Sequence, residues 1–318
     1  MIRIVNVNSK DKAPYEAEVF ARYGAEYECV STSNAEEVIA AAKDADVILF
    51  TAAKFTSEVF DALPKLCLMV RYGMGYDTVD LAAARAHGVD VCNAPSYGAE
   101  AVSEHAWAML MAANRKIPSY DAHIRTGEFG KSAAYRPMRM SGKTLGILGF
   151  GRIARRVAQF CKGFSMRILA YDPYLPESVF ADAGVEKADL DTLLRESDYI
   201  SVNAPLTKET YHILNAEAFA KMKPTAVLAN TARGALIDED ALVDALEKGV
   251  IRAAAVDVYE NYPKEPDSPL LVPENLVLTP HVAWDTVESY DALHHEVTDE
   301  VVRFLEGKPN LNIVNRAK

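Results

Sequence analysis

The stretch Leu145-Gly146-Ile147-Leu148-Gly149-Phe150-Gly151-Arg152-Ile153-Ala154 is followed, after an amphipathic helical pattern, by Arg167-Ile168-Leu169-Ala170-Tyr171-Asp172. The order is strand, glycine turn, helix, strand, acid, as a dinucleotide-binding βαβ unit requires. Gly149 permits the tight turn and Gly151 lets backbone amides approach a pyrophosphate. The helix that starts near Arg152 turns its unpaired N–H groups and positive dipole end to the phosphates. Ala154 stands where a third glycine is usual and is still small enough for close packing of helix on strand. Asp172 then meets the ribose hydroxyls. A carboxylate there repels a 2′-phosphate, and Pro173-Tyr174 bring no cation to offset the repulsion, so the expected cofactor is NAD and not NADP.

Outward from this unit, short β-rich runs alternate with helical patterns in both directions. On the N-terminal side the expected strands are 2–7, 46–51, 67–71 and 89–92, with a helix over 33–42 opened by a capping box, Ser33-x-x-Glu36. On the C-terminal side strands follow at 168–171, 199–202, 226–229, 253–258 and 276–278, each a near-continuous apolar run, as in sheets covered on both faces. Such alternation predicts an α/β protein with two doubly wound parallel sheets. Between the two series lies a long helix, 99–115, apolar around most of its circumference and closed by Pro118, which suits burial between domains or subunits. A last amphipathic helix spans about 286–306 with Gly307 as its stop, and the tail beyond it is expected to return to the first domain.

With 318 residues, 50% of them hydrophobic, the chain is long enough for two domains. Its net charge of −11 argues against nucleic acid or an anionic membrane as partner. Cys29, Cys67, Cys92 and Cys161 lie far apart, the last three in or beside apolar segments that read as core, and neither a CxxC pair nor a Cys/His cluster with metal spacing occurs. Reduced thiols and no metal are expected. The N-terminus has a strand pattern and no run has membrane-spanning length, so the expectation is a soluble, cytoplasmic protein.

Three later segments carry the chemistry: Asn230-Thr231-Ala232-Arg233-Gly234, Asp257-Val258-Tyr259-Glu260-Asn261-Tyr262 and Leu278-Thr279-Pro280-His281-Val282-Ala283-Trp284. Arg233 and His281 each follow an apolar strand, and the carboxyl ends of such strands open onto the ligand crevice of a doubly wound fold. Reduction of a 2-oxo acid needs a planar cation to hold the carboxylate by two parallel hydrogen bonds, which Arg does better than Lys. It also needs an acid for the carbonyl oxygen, a task that suits His near neutral pH. Taken singly, a His at a strand end is more often structural; the joint occurrence beyond a cofactor motif is what points to catalysis.

Together with Arg71-Tyr72-Gly73-Met74-Gly75-Tyr76-Asp77, Glu104-His105-Ala106, Gly142-Lys143-Thr144-Leu145-Gly146 and Ala204-Pro205-Leu206-Thr207, these segments run in an order that resembles the D-isomer-specific 2-hydroxyacid dehydrogenases along nearly the whole chain. The resemblance implies a Rossmann NAD-binding domain, 99–286, inserted into a discontinuous flavodoxin-like substrate domain, 1–98 and 287–318, with a cleft between them and a homodimer built through the NAD-binding domain. It makes the partner a small 2-oxo or D-2-hydroxy acid. By the same resemblance Arg233 binds the substrate carboxylate and His281 is the acid and base, while amides around Gly73, Met74 and Gly75 also contact the carboxylate. Arg152, Ile153, Asp172, Ala204, Pro205, Thr210, Thr231, Ala232, Arg233 and Asp257 fall where the family binds NAD, beside Gly149 and Gly151. Lys54, Tyr76, Tyr97 and Trp284 are candidates for lining the cleft, Lys54 suggesting an anionic substrate tail and the aromatics an apolar one. The family carries a glutamate five residues after this aspartate, hydrogen-bonded to the catalytic histidine; the residue there is Tyr262, with Glu260 and Glu265 as the neighbouring carboxylates that could reach His281 instead. That departure leaves open a second reading, an NAD(H)-binding regulator of the same fold with weak or no turnover, as in the family's corepressor branch.

Overall fold

The computed structural model describes residues 1–9, 13–130, 135–260 and 266–316. The chain divides into two compact units, Met1–Gly98 with Asp285–Lys318, and Ala99–Trp284.

In the first unit the elements run β1 (Arg3–Asn6), α1 (Pro14–Arg22), β2 (Glu26–Cys29), α2 (Ala35–Ala42), β3 (Val47–Phe50), α3 (Ser57–Asp61), β4 (Leu68–Arg71), α4 (Leu81–Ala86) and β5 (Asp90–Cys92). The strands form a parallel sheet of order β2-β1-β3-β4-β5, the flavodoxin-like arrangement. Val47-Ile48-Leu49-Phe50 is buried along its whole length because both faces of this inner strand are covered. The edge strand β2, Glu-Tyr-Glu-Cys, buries only Tyr27 and therefore has no apolar run by which the sequence could announce it. The start of α2 also differs from expectation by one residue. Asn34 is the cap, its Oδ1 accepting from Glu37 N and its Nδ2 donating to Glu37 Oε1, while Glu37 also accepts from the backbone and hydroxyl of Ser33; the capping residues are thus Asn34 and Glu37 and not Ser33 and Glu36.

The second unit runs α5 (Ala99–Arg115), α6 (Ile117–Ile124), β6 (Thr144–Leu148), α7 (Arg152–Lys162), β7 (Arg167–Tyr171), α8 (Glu177–Ala183), β8 (Glu186–Lys187), α9 (Leu190–Glu196), β9 (Tyr199–Val202), α10 (Ala216–Lys221), β10 (Val227–Asn230), α11 (Glu239–Glu247), β11 (Ala253–Val256) and β12 (Leu276–Leu278). Its parallel sheet has the order β12-β11-β10-β9-β6-β7-β8, a Rossmann arrangement extended by one strand. Helix α5 lies on its own sheet, against β10, β11 and α7; Ala253 and Ala255 in β11, on the face toward it, are small enough to let it approach. Pro118 does not simply end that helix. Lys116 turns in the left-handed region at φ 56°, and Pro118 then sits in the first turn of α6, where its missing N–H costs nothing.

Chain 285–316 completes the first unit. Helix α12 (Val287–Leu305), capped by Thr286, packs on β4. The tail behind it is bound to β5, with Asn315 accepting from Val91 N and donating to Val89 O. Glu300, almost fully buried on α12, accepts from Asn310 Nδ2 and from the backbone N–H groups of Leu311 and Asn312.

Cys92 and Cys161 are buried free thiols, and burial pushes Cys161 up to about 12. Cys67, expected in the core, is exposed, because it precedes β4 instead of lying within it. Among the described residues no group of three or more His, Cys, Asp or Glu could hold a metal, and no helix is long and apolar enough to cross a membrane.

Candidate active site

In the second unit the strand order reverses between β6 and β9, so the loops that leave these two strands diverge and frame a crevice. Gly149 turns at φ 83°, and a Cβ there would lie 2.6 Å from the backbone of Ala204, so only glycine lets the two loops meet. Asp172 closes the turn from the end of β7: its Oδ2 accepts from Phe150 N at 3.0 Å and its Oδ1 from Tyr174 N at 3.1 Å. Gly151 caps α7 with no capping side chain, and a Cβ on it would meet nothing within 4 Å. The N-terminus of α7 thus opens into space beside a half-buried carboxylate, with Arg152 exposed and Ile153 half-buried in its first turn. That arrangement fits a pyrophosphate and an adenosine ribose. On the facing side Ala204 is buried, and the loop from exposed Pro205 is folded by Thr210, whose hydroxyl donates to Pro205 O at 2.7 Å and accepts from Thr207 N at 2.7 Å.

The next loops along the sheet are locked to one another. Buried Asn230 ends β10, donating to Arg233 O at 2.8 Å and accepting from Ala232 N at 3.0 Å, which fixes Thr231, Ala232 and Arg233 in a tight turn. The Arg233 side chain is half-buried, and its Nη1 donates to Ala232 O at 2.7 Å. At Gly234 a Cβ would come within 1.8 Å of Tyr259 C, so this loop presses directly on the one that follows β11.

Asp257 organises the loop that carries His281. The carboxylate is 0% exposed. Its Oδ1 accepts from Thr279 Oγ1 at 2.6 Å and Val282 N at 2.9 Å, and its Oδ2 accepts from Ala283 N at 3.0 Å. Tyr259 adds a hydrogen bond to Thr279 O at 2.9 Å. From α5, His105 Nε2 reaches Thr279 Oγ1 at 3.1 Å and stands 3.7 Å from Asp257 Oδ1. His281 is exposed at the tip of this braced loop, in the left-handed region at φ 59°, where a non-glycine residue stays only if its surroundings hold it. Sequence reasoning put Asp257 beside the cofactor; the geometry adds that both of its oxygens are engaged by the His281 loop. The brace of Asp257, Thr279 and His105 was not foreseen, although all three lie in segments already quoted.

Glu260 is committed elsewhere. Its carboxylate accepts from Tyr211 OH at 2.8 Å and pairs with His212 Nε2 at 2.9 Å. Burial pushes this carboxyl upward, but the hydrogen bonds from His212 and Tyr211 outweigh it and hold the group below its ordinary range. Tyr262 and Glu265 lie outside the described residues. Trp284 is half-buried.

In the first unit the loop after β4 holds the other candidates. Buried Gly73 adopts φ 136°, and a Cβ there would lie 2.1 Å from Arg71 Nη1. Arg71 Nε donates to Thr51 O at 3.1 Å, so this guanidinium, not singled out from the sequence, lies across the Gly73 backbone. Gly73 O accepts from Ala94 N at 3.1 Å and Met74 O from Asn93 Nδ2 at 2.6 Å, leaving half-buried Met74 and Gly75 on a tethered loop. Lys54 is exposed just past a turn in which Asn8 Oδ1 accepts from Thr51 N, Ala52 N and Ala53 N. Tyr76 is exposed and Tyr97 half-buried.

Residues 107–283 match the family model of the D-isomer specific 2-hydroxyacid dehydrogenase NAD binding domain. The chain is 40% identical over 285 residues to a glyoxylate reductase of Korarchaeum cryptofilum, covering 88% of this chain and 85% of that one. It is 39% identical over 292 residues to a D-3-phosphoglycerate dehydrogenase of Methanocaldococcus jannaschii, covering 91% of this chain but only 55% of that longer protein. Among solved structures, a glyoxylate reductase from Paecilomyes thermophila superposes with a TM-score of 0.90 at 30% identity, over 98% of each chain.

Proposed function

Because the chain belongs to the D-isomer specific 2-hydroxyacid dehydrogenases, an NAD-dependent group that interconverts 2-oxo and 2-hydroxy acids, we propose that Arg233 clamps the substrate carboxylate and that His281 handles the proton. The observation that carries this assignment is the loop brace: a fully buried Asp257, with Thr279, holds a histidine at positive φ beyond β12, while Asn230 fixes an arginine beyond β10, two strands along the same sheet. Rigid support of this kind is what catalytic groups need, since small displacements are costly in rate. When bound, the nicotinamide supplies or accepts the hydride. The chain's residues do the rest. Arg233 fixes the acid by a bidentate contact, and backbone amides of the loop around Gly73, Met74 and Gly75 are assigned to the same carboxylate. His281 as imidazolium gives a proton to the carbonyl oxygen in reduction, and as neutral imidazole takes it back in oxidation. Tyr262 stands at the position of the family's supporting glutamate, and Lys54 and Trp284 face the remainder of the substrate.

For the cofactor, Gly149, Gly151, Arg152 and Ile153 hold the pyrophosphate, and Asp172 holds the ribose and disfavours a 2′-phosphate. Ala204, Pro205, Thr210, Thr231 and Ala232 form the rest of the pocket, and Asp257 shapes its nicotinamide end. The product is the D isomer. The protein works in the cytoplasm as a homodimer formed through the unit that binds NAD. In support of that dimer, α6 buries none of its residues, and exposed Ile117, Ile124 and Phe129, the last 97% exposed, gather with Met111, Tyr120 and Pro137 around one groove. Exposed apolar side chains gathered in one place, rimmed by Arg115, Asp121 and Glu128, suit an association site.

The test is single-turnover oxidation of NADH against glyoxylate, hydroxypyruvate, pyruvate, phosphohydroxypyruvate and larger 2-oxo acids, with chiral analysis of the product. Formation of the L isomer, or turnover undiminished in His281→Ala, would overturn the assignment.

A further inference from the structure

Beneath the loop that begins with Tyr72, the first unit holds a carboxylate that the reaction does not use. Glu16, on α1, is 0% exposed. Tyr72 OH, from the end of β4, donates to its carboxylate at 2.8 Å, and Tyr27 OH, from β2, donates at 2.7 Å. His294 Nδ1, from α12, approaches the same carboxylate at 2.6 Å. Asn6 Nδ2, from β1, donates to Tyr72 OH at 3.4 Å, and the His294 ring lies between those of Tyr72 and Tyr290, with centroids 5.3 and 4.5 Å away. Burial, followed by the charge of Glu16, drives the Tyr72 and Tyr27 hydroxyls upward, so both are donors across the physiological range.

A buried anion is expensive unless its lone pairs are filled. Here two phenols and an imidazole fill them, and each comes from a different element. Packing alone does not call for such a group, since an apolar side chain on α1 could fill the same volume without that penalty. What the cluster does is position. The Tyr72 backbone leaves β4 with its N–H on Phe50 O at 2.8 Å, and the next residue turns at φ 136°. Downstream the same loop is tied by Ala94 and Asn93. The side chain of Tyr72 is thus the upstream anchor of a segment whose other anchors, Asn93 and Ala94, directly follow β5, and Glu16 is what it is anchored to.

We propose that Glu16 is a positioning residue for substrate binding: through Tyr72 it holds the loop of Gly73, whose own N–H is turned onto Arg71 O at 2.9 Å, so that the Met74 and Gly75 amides receive the 2-oxo acid carboxylate, and His294 completes the anchor from α12. The inference rests on the reading that those amides bind the carboxylate. Contacts that hold ground state and transition state alike change KM and leave kcat nearly intact.

The experiment uses the full chain in three forms, wild type, Tyr72→Phe and Glu16→Gln. Steady-state reduction of glyoxylate is measured together with NADH affinity by fluorescence, and hydrogen exchange of residues 73–75 is followed with and without oxamate, a 2-oxo acid analogue that cannot be reduced. The expected result for Tyr72→Phe is a KM raised about 5- to 20-fold, as loss of one charge-assisted hydrogen bond implies, with kcat within about 3-fold, unchanged NADH affinity and faster exchange at 73–75. Glu16→Gln keeps the shape, and a smaller change of the same pattern is expected. Unchanged KM and unchanged exchange in Tyr72→Phe overturn the proposal, as does a loss of kcat and NADH affinity in step with a smaller folded fraction. If oxamate gives no protection at 73–75 in the wild type, the carboxylate reading itself fails, whatever the variants do.

Discussion

Replacing Arg233 with Lys keeps the charge but removes the second of two parallel hydrogen bonds, and should lower kcat/KM by about 2 to 4 kcal/mol, or roughly 30- to 1000-fold. Near wild-type rates in that variant would show that the clamp lies elsewhere. Asp172→Ala should narrow the preference for NADH over NADPH, read as the ratio of the two KM values, because it removes the carboxylate that repels a 2′-phosphate. Its effect on stability should be modest, since Phe150 N and Tyr174 N lose an acceptor in a half-exposed turn. At position 262 a new carboxylate would favour an imidazolium neighbour; Tyr262→Glu should therefore shift the alkaline fall of the reduction rate to higher pH by about 1 to 3 units. No shift would mean that residue 262 does not serve His281. Arg233 and His281 stood out in the sequence as candidates because each follows an apolar run and both fall beyond a cofactor motif. The placement of Arg71 and the role proposed for Glu16 did not, because both depend on which loops meet, and Glu16 reads locally as one more acid on an amphipathic helix.

The loops at the carboxyl ends of β9, β10 and β11 form a single braced element. Gly234→Ala would drive a methyl group into Tyr259 and Glu260 backbone atoms, and the expected result is a loss of more than about 3 kcal/mol, or failure to fold, measured by denaturant titration. The Glu260 pair with His212 ties the first of these loops to the third. Hydrogen bonds hold that carboxyl below its ordinary value of 4.5, so its contribution to stability is full above that pH and fades as the pH falls through the lowered value. The gap in Tm between wild type and Glu260→Gln should accordingly close on titration from pH 6 to about pH 3; a gap that widens toward acid would contradict the pairing. At this scale the sequence was a good guide to inner strands and long helices, whose apolar periodicity is unmistakable: 199–202 and 99–115 fall where the pattern puts them. Of the four edge strands it found β5 and β12 and missed β2 and β8. Strands β2 and β8 bury one side chain or none, and a strand that makes little apolar contact leaves little apolar pattern.

For the whole molecule, the apolar groove around α6 predicts the oligomeric state. Phe129→Glu combined with Ile124→Glu should turn a dimer into a monomer in sedimentation velocity, with fold and NADH binding retained; a wild type that sediments as a monomer at micromolar concentration would remove the dimer. Two parallel sheets followed from the βα alternation; their Rossmann and flavodoxin-like character came only with the family resemblance. What alternation could not reveal is how firmly residues 285–316 are stitched into the first unit, through Glu300, Asn310 and Asn315, since asparagines in a tail ordinarily read as loop. That stitching has a consequence for biosynthesis. Ala99–Trp284 is one unbroken stretch and can fold as soon as it leaves the ribosome, whereas the unit around β1 to β5 must wait for α12 and the tail that follow. Nascent chains arrested after residue 284 with a linker filling the exit tunnel should resist protease over 99–284 while 1–98 is still cut. Until translation has passed α12, the anchor of Tyr72 lacks His294, and the emerging protein can grip its nucleotide before it has anything to reduce.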